Sequence, residues 1–114
     1  MLASAHRLKK GGEISRVMMR GRYAADGPVA VRSLRTHLPS SRGVVVVSKK
    51  VSKKAVVRNR IRRRLAALLA ERWATVTPGY DIVITVRADI ADEAAPKLAT
   101  HLDAALKQLG LITH

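Results

Sequence analysis

The sequence predicts an α+β or α/β sandwich with the order helix, strands, helix, strand, helix, in one domain over residues 1–114. Three observations carry this expectation. RGVVVVS at 42–48 and YDIVITVR at 80–87 have the β-branched density of well-covered strands. Between them, VVRNRIRRRLAALL at 56–69 places apolar residues at helical spacing. Helical spacing recurs near both ends, at 12–20 and 96–109.

Taken in order, GEISRVMMR places Ile14, Val17 and Met18 on one face of a short helix, with Gly21 as its stop. PVAVRSL at 28–34 alternates like a strand, and THLPSSRG after it is a polar turn or loop. The strand at 42–48 leads into SKKVSKKAVV. The long helix is expected to start between Ser52 and Ala55 and to run to Arg72 or Trp73. Thr77-Pro78-Gly79-Tyr80 is a turn with Pro and Gly at its centre. After the strand at 80–87, Leu98, Leu102, Ala105, Leu106 and Leu109 share a face of the last helix, which Gly110 ends. The unit from residue 43 to 87 is long enough for a parallel crossover.

Charge is the second signal. The formal net charge is +14. Residues 1–72 hold 19 Lys and Arg against three acids, whereas residues 73–114 hold three against five. A field so concentrated implies a polyanionic partner, most often nucleic acid. On the long helix, Val57, Ile61, Leu65 and Leu68 form one stripe, with Leu69 at its edge. Arg58 and Arg62 flank one border, Arg60 and Arg64 the other, and Asn59 and Arg63 point away. Like charges four residues apart cost roughly 0.2–0.5 kcal/mol per pair. Basic residues near a helix start also oppose the macrodipole. No acid lies between Asp26 and Glu71 to relieve this. An anionic partner reverses the sign of that cost, and the arginine fork matches phosphate oxygens. Lys49, Lys50, Lys53 and Lys54 precede the helix and extend the basic run. Asn59 suits either a base edge or ribose, or local backbone.

The inventory for bond chemistry is thin. His6, His37, His101 and His114 are scattered, without metal-ligand spacing. Asp92 and Glu93 fit helix-start electrostatics better than acid–base work. There is no cysteine, and no glycine loop for phosphates. No apolar run is long enough to span a bilayer, and the N-terminus lacks the apolar centre of a signal peptide. Strand aromatics and a GxxG loop, the marks of common RNA modules, are missing.

VVVVSKKVSKKAVVRNRIRRRLAALL, with Arg58-Asn59-Arg60 at its centre, closely resembles the central motif of the bacterial ribonuclease P protein subunit. RLKKGGEISRVMMRG at 7–21 resembles that family's basic turn and first helix. YDIVITVR and the ending QLGL resemble its last strand and helix. The resemblance implies a small two-layer α+β sandwich with a left-handed strand–helix–strand crossover. It also implies a cytoplasmic subunit, monomeric in its complex, that binds a catalytic RNA and helps it remove the 5′ leader of precursor tRNA. The RNA and its Mg²⁺ would carry the hydrolysis, with no catalytic residue and no bound cofactor or metal in the protein. The RNA face carried over is Lys49, Lys50, Lys53, Lys54, Arg58, Asn59, Arg60, Arg62, Arg63 and Arg64. The leader cleft carried over is Ile14, Val17 and Met18 from the first helix and Val29 and Val31 from the facing strand, with Arg16 and Arg32 nearby. The family's usual aromatics are replaced at Ile14, Met18, Pro28 and Val31, so apolar packing and charge are expected to replace base stacking there. On pattern alone, Ile14, Val17 and Met18 fit core positions equally well. Two other readings of the charge are a structural RNA-binding protein of the ribosome and a DNA-binding regulator.

Overall fold

Four strands form one mixed sheet in the order β1-β2-β4-β3. The structure is a computed structural model and describes residues 6–9 and 11–113. Its elements are α1 (Gly11–Arg20), β1 (Arg22–Asp26), β2 (Val29–Arg35), β3 (Arg42–Val46), α2 (Ala55–Arg72), β4 (Tyr80–Val86) and α3 (Ala95–Gln108). β1 and β2 are antiparallel, as are β2 and β4, while β3 runs parallel to β4. A parallel pair needs a long connection, and α2 supplies it. The α+β class and the element order agree with the sequence reading.

Strand pleating sends alternate residues to opposite faces, and the two faces carry different helices. Val29, Val31, Val45, Ile82, Ile84 and Val86 join Ile61, Leu65, Leu68 and Leu69 of α2 and Leu98, Leu102, Ala105 and Leu106 of α3 in the main core. Leu8, Val17 and Val83 form a smaller cluster on the other face, with Ile14, Leu34, Val44 and Val46 against it. The sheet with α2 and α3 is therefore the main sandwich, and α1 adds a thinner layer on the opposite face.

β1 is an element that the sequence reading did not single out. RYAAD is short and holds no large aliphatic residue, yet Gly27-Pro28 after it suits a two-residue hairpin turn with Gly at the first central position. Asp26 pairs with Val29, leaving a two-residue turn. Gly27 sits there at φ 56°, which L side chains rarely adopt. His101 of α3 holds the same turn, with Nδ1 2.8 Å from Asp26 Oδ2. α3 starts at Ala95 with Pro96 in its first turn and no side-chain cap. Asp92 and Glu93 thus lie before the helix instead of capping it. Arg72 donates to Asp103 and ties α2 to α3.

Gly43 determines how closely α2 approaches the sheet. A Cβ there would lie 2.9 Å from Leu69 Cδ2 and 3.4 Å from the Trp73 ring. On the outer edge of β3, Leu8 N–H donates to the Gly43 carbonyl at 3.0 Å, and Arg7 bridges Gly43 in parallel. This segment covers an edge that would otherwise be open to pairing.

α1 is fastened by charge as well as by Val17. Arg42 on β3 donates to Asp81 of β4 at 2.9 and 2.8 Å and to Glu13 of α1 at 3.0 Å. The Asp81 hydrogen bonds raise the Arg42 pKa above its ordinary value, against the lowering effect of burial, and Glu13 adds to the rise. A raised arginine pKa contributes stability at every pH below the unfolded value and loses it only as pH climbs through the folded value. The guanidinium is therefore charged throughout the working range. Arg42→Met leaves Asp81, 8% exposed in its side chain, without its cation. The expected cost is about 3 kcal/mol in urea unfolding. Leu65→Ala truncates the main core and is expected to cost about 2–5 kcal/mol by the same measurement.

Candidate nucleic-acid interface

The apolar stripe of α2 faces the sheet as its spacing predicts, with Ile61, Leu65, Leu68 and Leu69 buried and Val57 at the border. The helix begins with no side-chain cap and no acid in its first turn. Its basic residues then fall into two groups that spacing does not separate.

The first group is engaged by the protein itself. Arg58 Nη1 donates to the carbonyls of Ser52 and Lys53, at 3.0 Å each, and braces the loop that leads into α2. Arg64 reaches across to the β4–α3 connection. Its Nη1 donates to the Ile90 carbonyl at 3.2 Å and the Ala91 carbonyl at 2.7 Å, and its Nη2 donates to the Glu93 carbonyl. Three carbonyls around one guanidinium make Arg64 a clamp for that connection. Arg60 pairs with Asp92 at 3.3 Å, but the side chains are 60% and 90% exposed. Such a surface pair is worth at most about 1 kcal/mol, so a phosphate can displace it.

The second group is available to a ligand. Among the described residues, Asn59, Arg62 and Arg63 have no side-chain hydrogen bond or ion pair. Lys49, Lys50, Lys53 and Lys54 are exposed on the loop before α2. That loop is shaped by Val51 N–H donating to the Ser48 carbonyl at 3.1 Å and Lys54 N–H to Ser52 Oγ at 3.2 Å. A cleft of about 410 Å³ opens between α2 and β3, with Asn59, Arg62, Arg63 and Arg7 around it. Arg7 belongs to this surface although the helix pattern gives no hint of it. Its pairing beside Gly43 brings it there.

The α1 side corrects the cleft expected from sequence. Val29 and Val31 are fully buried in the main core, on the sheet face turned away from α1. Strand parity is the reason: α1 covers the Ala30–Arg32–Leu34 face of β2 instead. Val17 is also fully buried, packed with Leu8 and Val83, and Ile14 is half-buried beside it. These are core positions, as their spacing alone allowed. Met18 and Arg32 remain at the surface and touch each other, with Arg32 Nη1 4.0 Å from Met18 Sδ. Arg16 is exposed on the outer side of α1.

An aromatic ring does stand in this region. Tyr23 of β1 pairs across the strands with Arg32, whose guanidinium carbon lies 4.7 Å from the ring centroid. Tyr23 is half exposed. Sequence reading missed it because it missed β1. A two-residue turn with Gly27 at its first central position would have given both the strand and the register.

Fold and surface together define a small α+β protein with a nucleic-acid-binding face, built on a helix whose apolar side is locked to a sheet. The comparisons with known proteins narrow that class. The family model for ribonuclease P matches residues 2–110. A ribonuclease P protein component of Beutenbergia cavernae is 32% identical over 111 residues, covering 97% of this chain and 93% of that protein. One of Streptomyces avermitilis is 35% identical over 119 aligned positions, covering 96% and 95%. The Staphylococcus aureus RNase P protein structure superposes with a TM-score of 0.83 at 24% identity, covering 96% of this chain and 99% of that one. The Thermotoga maritima RNase P protein gives 0.79 at 22% identity, covering 90% and 96%. The chain belongs to the ribonuclease P protein family.

The two groups of arginines differ in what their removal does. Arg63→Ala is expected to leave the melting temperature within about 1 °C while reducing RNA affinity, with the log–log salt slope falling by about 1. Arg64→Ala is expected to cost about 1.5–3 kcal/mol in unfolding experiments, because three carbonyls lose a charged donor.

Proposed function

We propose that this chain acts as the protein subunit of ribonuclease P, assisting endonucleolytic removal of the 5′ leader from precursor tRNA. The observation that carries the reading is the unengaged Asn59-Arg62-Arg63 surface with its four exposed lysines, on the helix that bears the family's central motif. This surface binds the catalytic RNA. Arginine forks meet phosphate oxygens there, and lysines add charge without fixed geometry. Arg58 and Arg64 support the surface from behind, holding the loops on either side of it.

The 5′ leader binds on the α1 side, against Met18, Arg32 and Tyr23. Tyr23 gives an unpaired base a ring to stack on, and Arg32 adds charge for the backbone. Hydrolysis belongs to the RNA and the Mg²⁺ it holds. The protein's part is binding and placement. The subunit works in the cytoplasm as a monomer within the complex. Among the described residues, no helix is long and apolar enough to cross a membrane.

Reconstitution with the cognate catalytic RNA at low Mg²⁺ tests the reading. The protein is expected to lower the Mg²⁺ requirement and raise the rate of precursor-tRNA cleavage; no change in either overturns it. Within that assay, Tyr23→Ala is expected to weaken binding of a precursor with a long leader roughly fivefold or more. Binding of a precursor with a one-nucleotide leader should stay unchanged.

A further inference from the structure

The cleft between α2 and β3 differs in kind from the charged surface around it. Its floor is apolar, made by Val45 and Ala66, with the β3 backbone at Gly43 and Val44 along its edge. Its rim is cationic, with Arg7 on one side and Arg62 and Arg63 on the other, and Asn59 beside them. A surface meant only for phosphates along a duplex needs no apolar floor. An apolar floor open to solvent gains from being covered, and three guanidinium groups around one hollow favour an anion there.

We propose that this cleft takes one unstacked nucleotide of the RNA, its base on the Val45–Ala66 floor and its phosphate among Arg7, Arg62 and Arg63. The inference rests on the RNA-binding reading above and adds a specific site to it. The volume, about 410 Å³, falls within the range of about 300–1,000 Å³ typical of small-ligand pockets. Charge complementarity sets the occupant: the rim carries three cations and, among the described residues, no acid. A base presents flat apolar faces and a polar edge, and its own phosphate is anionic. Proteins read RNA sequence mainly at such splayed-out bases, stacking them on aromatic rings or on arginine planes. No aromatic residue lines this cleft, so the base rests on the aliphatic floor and the guanidinium groups take its phosphate. Asn59 then has a defined task. Its amide offers both a donor and an acceptor to the base edge, and nothing among the described residues competes for it.

Two structural features hold the cleft in shape. Gly43 lets α2 close on β3, with no room for a Cβ beside Leu69. The pairing of Leu8 and Arg7 with Gly43 places the far wall.

The test uses the full chain and its cognate ribonuclease P RNA, with binding measured by filter retention and RNA nucleotides probed by 2′-hydroxyl acylation. Ala66→Leu fills the floor and leaves every charge in place. It is expected to weaken binding roughly tenfold, to leave the salt slope unchanged, and to expose one unpaired nucleotide that the unaltered protein protects. Asn59→Ala, which adds no bulk, is expected to expose the same nucleotide. Thermal melting of both variants reports whether they fold. If folded Ala66→Leu and Asn59→Ala bind with unaltered affinity and leave the same nucleotides protected, the cleft proposal is overturned and RNA binding by α2 stands. If the unaltered protein shows no preference for this RNA over duplex DNA, the functional reading itself fails.

Discussion

Burial of one narrow stripe of α2 is the interaction on which the rest of the structure depends. Ile61, Leu65, Leu68 and Leu69 contribute about 1.5–3 kcal/mol each when removed from water. The like-charge pairs Arg58–Arg62 and Arg60–Arg64 cost only about 0.2–0.5 kcal/mol each. The stripe therefore prevails, and a helix with no acid and no cap at its start forms against the sheet. Without that anchor the basic segment has no reason to be helical, and its side chains have no fixed spacing.

The protein lowers the remaining repulsion by turning two arginines inward. Arg58 and Arg64 spread their charge over backbone carbonyls of residues 52, 53, 90, 91 and 93. In doing so they brace the connections at both ends of the helix's charged half. The charge left outside is Arg60, Arg62 and Arg63 with the lysine loop, and Arg7 adds to it from the N-terminal segment. A surface with this much uncompensated charge is electrostatically unfavourable when free, and phosphate contact reverses that sign.

The same sheet serves two surfaces because its faces are covered unequally. α2 and α3 seal one face with a broad core. On the other, α1 covers only part, so Met18, Arg32 and Tyr23 stay accessible. The Glu13–Arg42–Asp81 network ties α1 to both β3 and β4, while α2 leaves from β3 and returns to β4. The basic surface of α2 and the exposed residues beside α1 are thus referred to the same two strands.

Local pattern alone determined the spans of α1, α2, α3 and three of the strands, and the stripe that anchors α2. Periodicity and turn residues are properties of neighbouring positions, so they can be read along the chain. The uneven charge, and the Arg58-Asn59-Arg60 motif that carries the family likeness, are equally local. Tertiary structure alone decided which face of β2 meets α1, which put Val29 and Val31 in the main core, left Arg32 beside Met18 and brought Tyr23 against Arg32. Strand alternation defines two faces without saying which helix covers each. Only tertiary structure, too, separated Arg58 and Arg64 from Arg62 and Arg63. All four stand on the exposed arc of one helix, and their partners are carbonyls that the fold brings from up to 29 residues away.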